Sequence, residues 1–440
     1  MVATEIFGNI GHRSPDDNFI LSPRLVFRLP HAMKIILSTL LLVTVANAQE
    51  WTRFRGPNGS GLATANLPAQ LTENDIAWSC TLPGTGHSSP VVWGDHVFVT
   101  CTPDARQAEM AKRSVVSVNA KTGKVEWFRE YATGGYKKHA DNSFASPSCT
   151  VDAERVYAWF AGPDGSQLVA LAQADGHEVW KRDLGAFKSQ HGPGASPIVE
   201  KGVVYLQSSQ DEPGSFIEAY DAATGKTLWK NELKGGQHSI ATPCLAAKAT
   251  QLVSLSTDNG LLGLDPATGK QLWAISDIFK LRTVASPVIT GEGWVVVQSG
   301  QGQAASEIKV VKGTADSKPE QAYEIVRIGA YVPTPIVVGD LLFLWKENGT
   351  VTCIRAATNE QLWSERVEGP YYTSPICTGG KGGRLYNLTR AGELVSIAAG
   401  EKFELIQRFP LSEKESYATP AVSGGKMFVR TFSRLICIGK

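Results

Sequence analysis

The sequence predicts an all-β fold, an eight-bladed β-propeller built from four-stranded antiparallel blades. Three observations predict it. A Ser/Thr-Pro motif recurs eight times, each repeat contains short strand-like runs, and an unmatched strand precedes the first repeat while the last repeat lacks its fourth strand. Repeated four-stranded meanders without helices between them are typical of propellers.

The Ser/Thr-Pro motif marks the start of each repeat. Its copies are 40 to 57 residues apart, and an apolar pair or near-pair follows each. The prolines are Pro90, Pro147, Pro197, Pro243, Pro287, Pro335, Pro375 and Pro420. Runs of four to six residues between Gly- or Asn-bearing turns follow, which predicts four antiparallel strands, A to D, in each repeat.

A second motif lies between strands C and D, as YDAATGKTLW at 220–229 and LDPATGKQLW at 264–273. Gly225 and Gly269 stand where the hairpin requires a positive φ, and a tryptophan follows four residues later on the outer strand. The tryptophans in this position are Trp78, Trp127, Trp180, Trp229, Trp273 and Trp363. The fifth repeat lacks the motif, and the seventh has a weaker copy around Phe403.

The two ends of the chain complement each other. The last repeat ends in LICIGK, which matches a third strand, whereas NDIAWSCTLPG at 74–84 reads as a fourth strand with Trp78 in the motif position. The N-terminal strand is therefore expected to complete the last blade, so that no blade edge there stays unpaired. This predicts one propeller domain over 49–440.

The repeat also carries a family resemblance. The residues Ala219, Asp221, Thr224, Gly225 and Trp229 form a pattern that resembles the tryptophan-docking repeat of the pyrroloquinoline quinone (PQQ) propeller superfamily. The segment WTRFRGPNGSG at 51–61 is similar to the start of exported bacterial members. The resemblance implies one of two branches, the quinoprotein alcohol and sugar dehydrogenases or the non-catalytic branch that includes BamB of outer-membrane assembly.

Several features that the dehydrogenase branch implies are missing. No two of the seven scattered cysteines are adjacent, no Asp-Tyr pair occurs, and nothing matches the Glu, Asn and Asp that hold Ca²⁺ against the quinone. We therefore expect no cofactor and favour a non-catalytic binding or scaffold protein. A PQQ- and Ca²⁺-dependent or other metal-dependent oxidoreductase and a BamB-like assembly factor are the alternatives.

The N-terminal region predicts export. From Met33 a basic residue, an apolar run and Ala46-Asn47-Ala48 follow one another, which is the order of a cleavable signal peptide over 33–48. Residues 1–32 are then expected to be a mis-called upstream extension. No cysteine follows the small-residue site, so a lipid anchor is not expected, and the predicted location is the periplasm or the exterior.

Charge narrows the class of partner. The chain has 43 Lys and Arg against 42 Asp and Glu, and this balance gives no basis for nucleic-acid binding, which depends on clustered cations. We expect a protein, peptide or carbohydrate ligand, no transmembrane segment and a monomeric chain.

The candidate site lies on the face opposite the tight turns, where the D-to-A connections run. Four histidines fall in successive connections, and Arg or Tyr residues take the corresponding positions elsewhere. The candidates are His87, His139, Asn142, His191, His238, Arg282, Tyr331, Tyr371, Tyr372 and Tyr417.

Two interpretations of the histidines stay open. His139, His191 and His238, with Lys137, Lys138, Asp141 and Asn142 beside them, could form a metal or anion site. Alternatively, each histidine satisfies backbone groups of its own loop. Aromatic and Arg side chains at a rim suit carbohydrate or peptide recognition. Arg53 and Arg55 are expected to brace the closure strand.

The exported protein is expected to begin near Gln49, because cleavage follows the Ala46-Asn47-Ala48 site. N-terminal sequencing of the secreted chain measures this directly. A mature protein that retains Met33 would contradict the signal-peptide interpretation.

Overall fold

The computed structural model describes residues 50–103, 112–136, 138–235, 239–246, 248–302, 305–314, 318–411 and 413–439. Residues 48–440 form one compact unit. The predicted signal peptide, the upstream extension, Lys137 and His238 lie outside the described residues. Among the helices of the described part, none has the length and apolar character needed to cross a membrane.

The chain starts with two short 3-10 helices, Pro57–Gly59 and Glu73–Asp75, and two strands, β1 (Leu62–Ala63) and β2 (Ile76–Thr81). Seven blades of four consecutive antiparallel strands follow, the seventh with β1 added. Blade 1 has β3 (Val91–Trp93), β4 (His96–Cys101), β5 (Lys112–Asn119) and β6 (Val125–Ala132). Blade 2 has β7 (Thr150–Val151), β8 (Arg155–Phe160), β9 (Ser166–Ala172) and β10 (Glu178–Gly185). Blade 3 has β11 (Ile198–Glu200), β12 (Val203–Ser208), β13 (Ser215–Asp221) and β14 (Thr227–Leu233).

The remaining blades repeat this order from the axis outwards. Blade 4 has β15 (Cys244–Ala246), β16 (Gln251–Ser256), β17 (Gly260–Leu264) and β18 (Gln271–Ile275). Blade 5 has β19 (Val288–Ile289), β20 (Val295–Gln301), β21 (Ala305–Lys312) and β22 (Glu320–Val326). Blade 6 has β23 (Ile336–Val338), β24 (Leu341–Trp345), β25 (Thr350–Arg355) and β26 (Gln361–Arg366). Blade 7 has β27 (Ile376–Thr378), β28 (Arg384–Leu388), β29 (Glu393–Ala398) and β30 (Leu405–Pro410), with β1 added in parallel to β27.

Blade 8 confirms the predicted closure. Its strands are β31 (Ala421–Ser423), β32 (Lys426–Arg430), β33 (Arg434–Ile438) and, on the outside, β2 from the N-terminal end. Trp78 pairs with Cys437 across this junction. The eight-bladed fold and its closure by the N-terminal strand are therefore as the sequence predicts.

The core lies between neighbouring blades as well as within them. Val99 of blade 1 and Phe428 of blade 8 belong to one buried cluster, to which Cys101 and Cys437 also contribute. All seven cysteines are unpaired, and all but Cys80 are buried. They act as small apolar packing residues, as expected from their place in apolar runs.

The glycine and the tryptophan of the second motif join one blade to the next. Trp180 of blade 2 donates its indole N–H to the Ala222 carbonyl of blade 3 at 2.9 Å. Its ring covers Gly225, which has a φ of 69° and where an added Cβ would lie 2.6 Å from the indole. Gly225 therefore serves both its own turn and the preceding blade. The same pairs recur as Trp78–Gly123, Trp127–Gly176 and Trp229–Gly269.

Two repeats replace this tryptophan. In blade 5, Tyr323 pairs with Val310 in the equivalent register and donates its hydroxyl to the Ala356 carbonyl at 2.5 Å. In blade 7 the position belongs to Gln407, not to Phe403, and its amide exchanges two 2.7 Å hydrogen bonds with the backbone of Leu71. The weak copy around Phe403 was thus assigned to the wrong residue, because the turn before β30 differs in length.

A closed ring of hydroxyls joins the eight inner strands. In every blade a Ser or Thr at the start of strand A accepts a hydrogen bond from the backbone N–H of the equivalent residue in the neighbouring blade, at 2.8 to 3.1 Å. The members of this hydroxyl ring, in order, are Ser89, Ser148, Ser196, Thr242, Ser286, Thr334, Ser374 and Thr419. In blade 2 the ring residue follows Pro147 instead of preceding it, so that copy of the motif is displaced by two residues.

Residues 51–61, which we call the axial segment, lie across the axis of the propeller. Trp51 pairs with Val92 of blade 1, Asn58 with the backbone of Leu245 in blade 4, and Gly61 accepts the Cys377 N–H of blade 7. One short segment can contact inner strands of blades this far apart around the ring only by crossing the axis. These contacts follow the ring residues in each strand, so the axial segment lies on the tight-turn side of the ring.

Arg53 and Arg55 belong to this segment and do not brace the closure strand β2. Arg53 donates to the Pro243 carbonyl at 2.5 Å, and Arg55 donates to the Pro335 and Pro375 carbonyls at 3.0 and 3.2 Å. The expectation from the sequence was wrong because the chain between 55 and 76 carries the two segments to different blades.

Replacing Gly225 by alanine tests the shared role of the motif glycine. Gly202 is the matched control, since its φ is 78° and no atom lies within 4 Å of an added Cβ. Both variants acquire the left-handed backbone cost of about 1–2 kcal/mol, but only Gly225→Ala forces the Trp180 ring to move, which adds about 1–3 kcal/mol. Urea unfolding measures the difference. Equal losses in the two variants would contradict blade docking through Gly225.

Candidate functional site

A cavity of about 420 Å³ opens on the long-loop face and follows the propeller axis; we call it the axial cavity. All eight members of the hydroxyl ring line it, and Phe54 of the axial segment lines its base. Above the ring, the walls are side chains of the D-to-A connections. The axial segment occupies the tight-turn side, so the described residues form a cup that is accessible from the long loops.

The structure brings the predicted site residues together. Eight of them line the axial cavity: His87, His139, Asn142, His191, Arg282, Tyr331, Tyr372 and Tyr417. They converge because each precedes the ring residue of its blade by two to nine positions, and the repeat places these connections around one axis. Their part in ligand binding stays a prediction. His238 lies outside the described residues.

Other residues differ from the expectation. Tyr371 is buried against Trp345 and donates its hydroxyl to the Glu368 carbonyl at 3.1 Å, so it does not line the axial cavity. Phe54 and the apolar wall residues Ile240, Val284 and Val332 were missed. In seven blades the ring residue is the Ser or Thr of the predicted Ser/Thr-Pro motif, but these hydroxyls were not predicted to line the site.

Asp141 organises one side of the mouth. Its carboxylate accepts hydrogen bonds from Tyr372 at 3.2 Å and Tyr417 at 3.3 Å, and it forms an ion pair with Arg390 at 3.0 Å. The Arg390 guanidinium also lies over both tyrosine rings, 5.0 and 4.9 Å from their centroids. The connection between blades 1 and 2 is thus attached to the connections before blades 7 and 8.

His87 is held in its neutral form beside this cluster. Its ring lies 4.2 Å from that of Tyr417, and its Nδ1 is buried without a hydrogen-bond partner among the described residues. Burial lowers the pKa of His87 to about 3, and the positive charge of Arg430 acts in the same direction. Arg430 is fully buried and donates to the Thr100 carbonyl at 2.7 Å, which joins blade 8 to blade 1.

His139 and His191 form a second pair at the mouth, with ring centroids 5.4 Å apart. Burial lowers the pKa of His191, and the charges of Arg282 and His139 lower it further. In the described part of the chain, no three His, Cys, Asp or Glu side chains are arranged to hold a metal ion. A metal site that includes His238 stays a prediction.

Arg282 supplies positive charge to the wall. Its side chain makes no hydrogen bond or ion pair with any described residue, while its carbonyl accepts the Gly300 N–H at 3.0 Å. The guanidinium is therefore available to a ligand. Ile240 and Val284 lie on the same side of the cavity and offer apolar contact next to it.

The residues present do not fit a quinone held by Ca²⁺. Calcium takes six to eight oxygen ligands, several of them carboxylates. Asp141 is the one carboxylate among the described lining residues, and Tyr372, Tyr417 and Arg390 already engage it. The neighbouring Asn142 donates its amide to the His191 carbonyl at 2.6 Å.

The fold and the cavity together define a PQQ-like β-propeller with a closed base and a ligand-sized mouth. A family model described as outer membrane protein assembly factor BamB matches residues 56–216 and 164–381. The chain belongs to this family.

Individual relatives are distant. BamB from Yersinia pestis is 22% identical over 285 residues, which cover 63% of this chain and 64% of that relative. The crystal structure of BamB from Moraxella catarrhalis is similar with a TM-score of 0.58 at 14% identity, covering 84% of this chain and all of that one. The crystal structure of quinohemoprotein alcohol dehydrogenase from Comamonas testosteroni is similar with a TM-score of 0.62 at 14% identity, covering 88% of this chain and 80% of that one. At these identities the structural likeness shows the fold alone.

The state of His87 predicts a pH dependence of stability. Because its pKa is lowered in the folded chain, the unfolded chain takes up the extra proton as the pH falls below about 6.5, and stability is lost in that direction. Between pH 7 and 4.5 the wild type should lose up to about 2–3 kcal/mol more than His87→Gln. Urea unfolding at both pH values measures this.

The exposed His177 provides the control for that measurement, because it lies in an outer turn far from the axial cavity. His177→Gln should keep the wild-type pH dependence. If His87→Gln loses as much stability as the wild type, His87 is not buried in its neutral form.

Proposed function

We propose that this protein is an exported binding protein of the cell envelope that takes part of a protein, peptide or glycan ligand into the axial cavity without catalysis of its own. The observation that carries the proposal is the convergence of side chains from most D-to-A connections on one cavity. Tyr, His and Arg side chains offer flat contact area with polar tips, which is the chemistry of recognition surfaces.

Two further points support a role in binding. The only carboxylate among the described lining residues, Asp141, is held by three donors and is not placed as a free general base. The cavity volume falls within the range of ligand sites, about 300–1,000 Å³.

Membership of the BamB family supports a location in the envelope and a protein as the larger partner. A relative is named for outer membrane protein assembly, and assembly of that kind is the most specific role that we propose. The competing function is a PQQ-dependent oxidoreductase, since a structural neighbour is a quinohemoprotein alcohol dehydrogenase. The carboxylate-poor lining argues against this enzyme, because Asp141 is the one carboxylate among the described lining residues and is already engaged.

Blocking the cavity tests the proposal. Val284→Trp places an indole in the axial cavity, whereas Val179→Trp adds the same group to an exposed outer strand. Peptide and glycan arrays identify ligands of the wild type, and calorimetry then measures their affinity. Val284→Trp should weaken binding by roughly tenfold or more, because the indole competes for the ligand's space, and Val179→Trp should leave it unchanged.

The same protein is titrated with PQQ and Ca²⁺ while dye reduction with alcohols and aldoses is followed. We expect no turnover. Saturable quinone binding with turnover would replace the binding-protein proposal by the oxidoreductase. Array ligands that bind Val284→Trp as well as the wild type would show that the axial cavity is not the binding site.

A further inference from the structure

The hydroxyl ring presents a set of unused donors to the axis. Each of its eight oxygens accepts one backbone N–H from the preceding blade, and no acceptor for any of the eight O–H groups is found among the described residues. A hydroxyl has one donor and two acceptor positions. Because all eight members line the axial cavity, their protons are free to point at a bound group on the axis.

Two buried cations lie directly beneath the ring. Arg53 and Arg55 donate to the carbonyls of prolines that each follow a ring residue, namely Pro243, Pro335 and Pro375. Neither guanidinium forms an ion pair within the described residues, and both are buried. Arg55 is fully buried, and its Nε and Nη1 have no hydrogen-bond partner there.

Burial lowers the pKa of Arg53 to about 10 and that of Arg55 to about 9, so both stay charged near neutral pH. Cys244 and Glu200 oppose the lowering of the Arg53 pKa, and no such group acts on Arg55. Positive charge that protein carboxylates do not neutralise sets up a field that favours anions above it.

A third cation stands above the ring. Arg282 lines the wall of the axial cavity, and its side chain has no partner among the described residues. A group on the axis therefore has Arg53 and Arg55 below it, hydroxyl donors around it and Arg282 above it. The tyrosines of the mouth lie further out, where they contact the rest of a ligand.

We propose that the hydroxyl ring is an oxyanion site, and that the ligand of the axial cavity enters with one carboxylate, sulfonate or phosphate group towards the ring and an apolar body towards the mouth. This inference rests on the proposed function and specifies its ligand. A cation is disfavoured because three guanidiniums surround the axis and Asp141 is already engaged. Hydrogen bonds from O–H and N–H groups to an ionised oxyanion are stronger than those to a neutral acceptor.

A pair of fluorescent probes separates the charge from the apolar body. 8-Anilino-1-naphthalenesulfonate carries a sulfonate, and N-phenyl-1-naphthylamine has the same aromatic body without it. In the wild type we expect one saturable anilinonaphthalenesulfonate site that Val284→Trp removes and that inorganic sulfate weakens at constant ionic strength. Sulfate should leave the neutral probe unaffected.

Arg282→Gln removes the charge without breaking a hydrogen bond or an ion pair to any described residue, although it also removes a charge that lowers the pKa of His191. The substitution should weaken the affinity for the sulfonate probe roughly tenfold, because a charged hydrogen bond is lost, and should change the affinity for the neutral probe by no more than about twofold. Arg366→Gln, on the exposed side of β26, is the matched control. The double variant Thr242→Val with Thr334→Val removes two ring hydroxyls at nearly constant volume and should act in the same direction, with folding checked by circular dichroism.

The outcomes are distinguishable. If both probes bind the cavity with equal affinity and Arg282→Gln changes neither, the oxyanion site is wrong while a binding cavity remains. If the neutral probe binds and the sulfonate does not, the inference is again wrong. If neither probe binds in a way that Val284→Trp removes, the inference is wrong, and the proposed function then stands or falls on the array ligands alone.

Discussion

The hydroxyl ring is the constraint on which the other parts of the molecule depend. A backbone N–H in every blade needs a partner at the crowded axis, and a Ser or Thr of the neighbouring blade supplies it. Because the last of these bonds joins Thr419 to Ser89, the ring fixes eight as the number of blades. The same bonds fix the radius of the hydroxyl ring. This radius sets the width of the cavity above the ring and the space for the axial segment below it.

At the outer rim, the tryptophan and glycine pairs perform a similar task with apolar packing. Trp180 over Gly225 shows that a turn in one blade is shaped by a ring from the blade before it. Where the turn changes, as in blade 7, a polar residue such as Gln407 pairs with chain that is not part of any blade. The repeats therefore tolerate local departures as long as each junction keeps one directional bond.

The sequence was sufficient for the blades, their closure and the polar side chains at the cavity mouth, because these follow from local spacing repeated about a common axis. His87, Arg282 and Tyr417 meet since each stands two to four positions before its ring residue. The contacts of Phe54, Arg53 and Arg55 could not be predicted in this way, because the axial segment has no repeat and its partners are up to 320 positions away. The partners of Asp141 are equally distant in sequence, and the displaced Ser148 shows that proline was a poorer marker than the hydroxyl.

Both ends of the described chain leave from the same side of the propeller. Glu50 is bound to Gly94 in the tight turn between β3 and β4, and Gly439 lies against Gly425 in the equivalent turn of blade 8. Any tether, fusion partner or neighbouring domain attached at either end would therefore be joined to the propeller on its tight-turn face. The cavity mouth, on the opposite face, would then point away from the attachment point and stay accessible to a ligand.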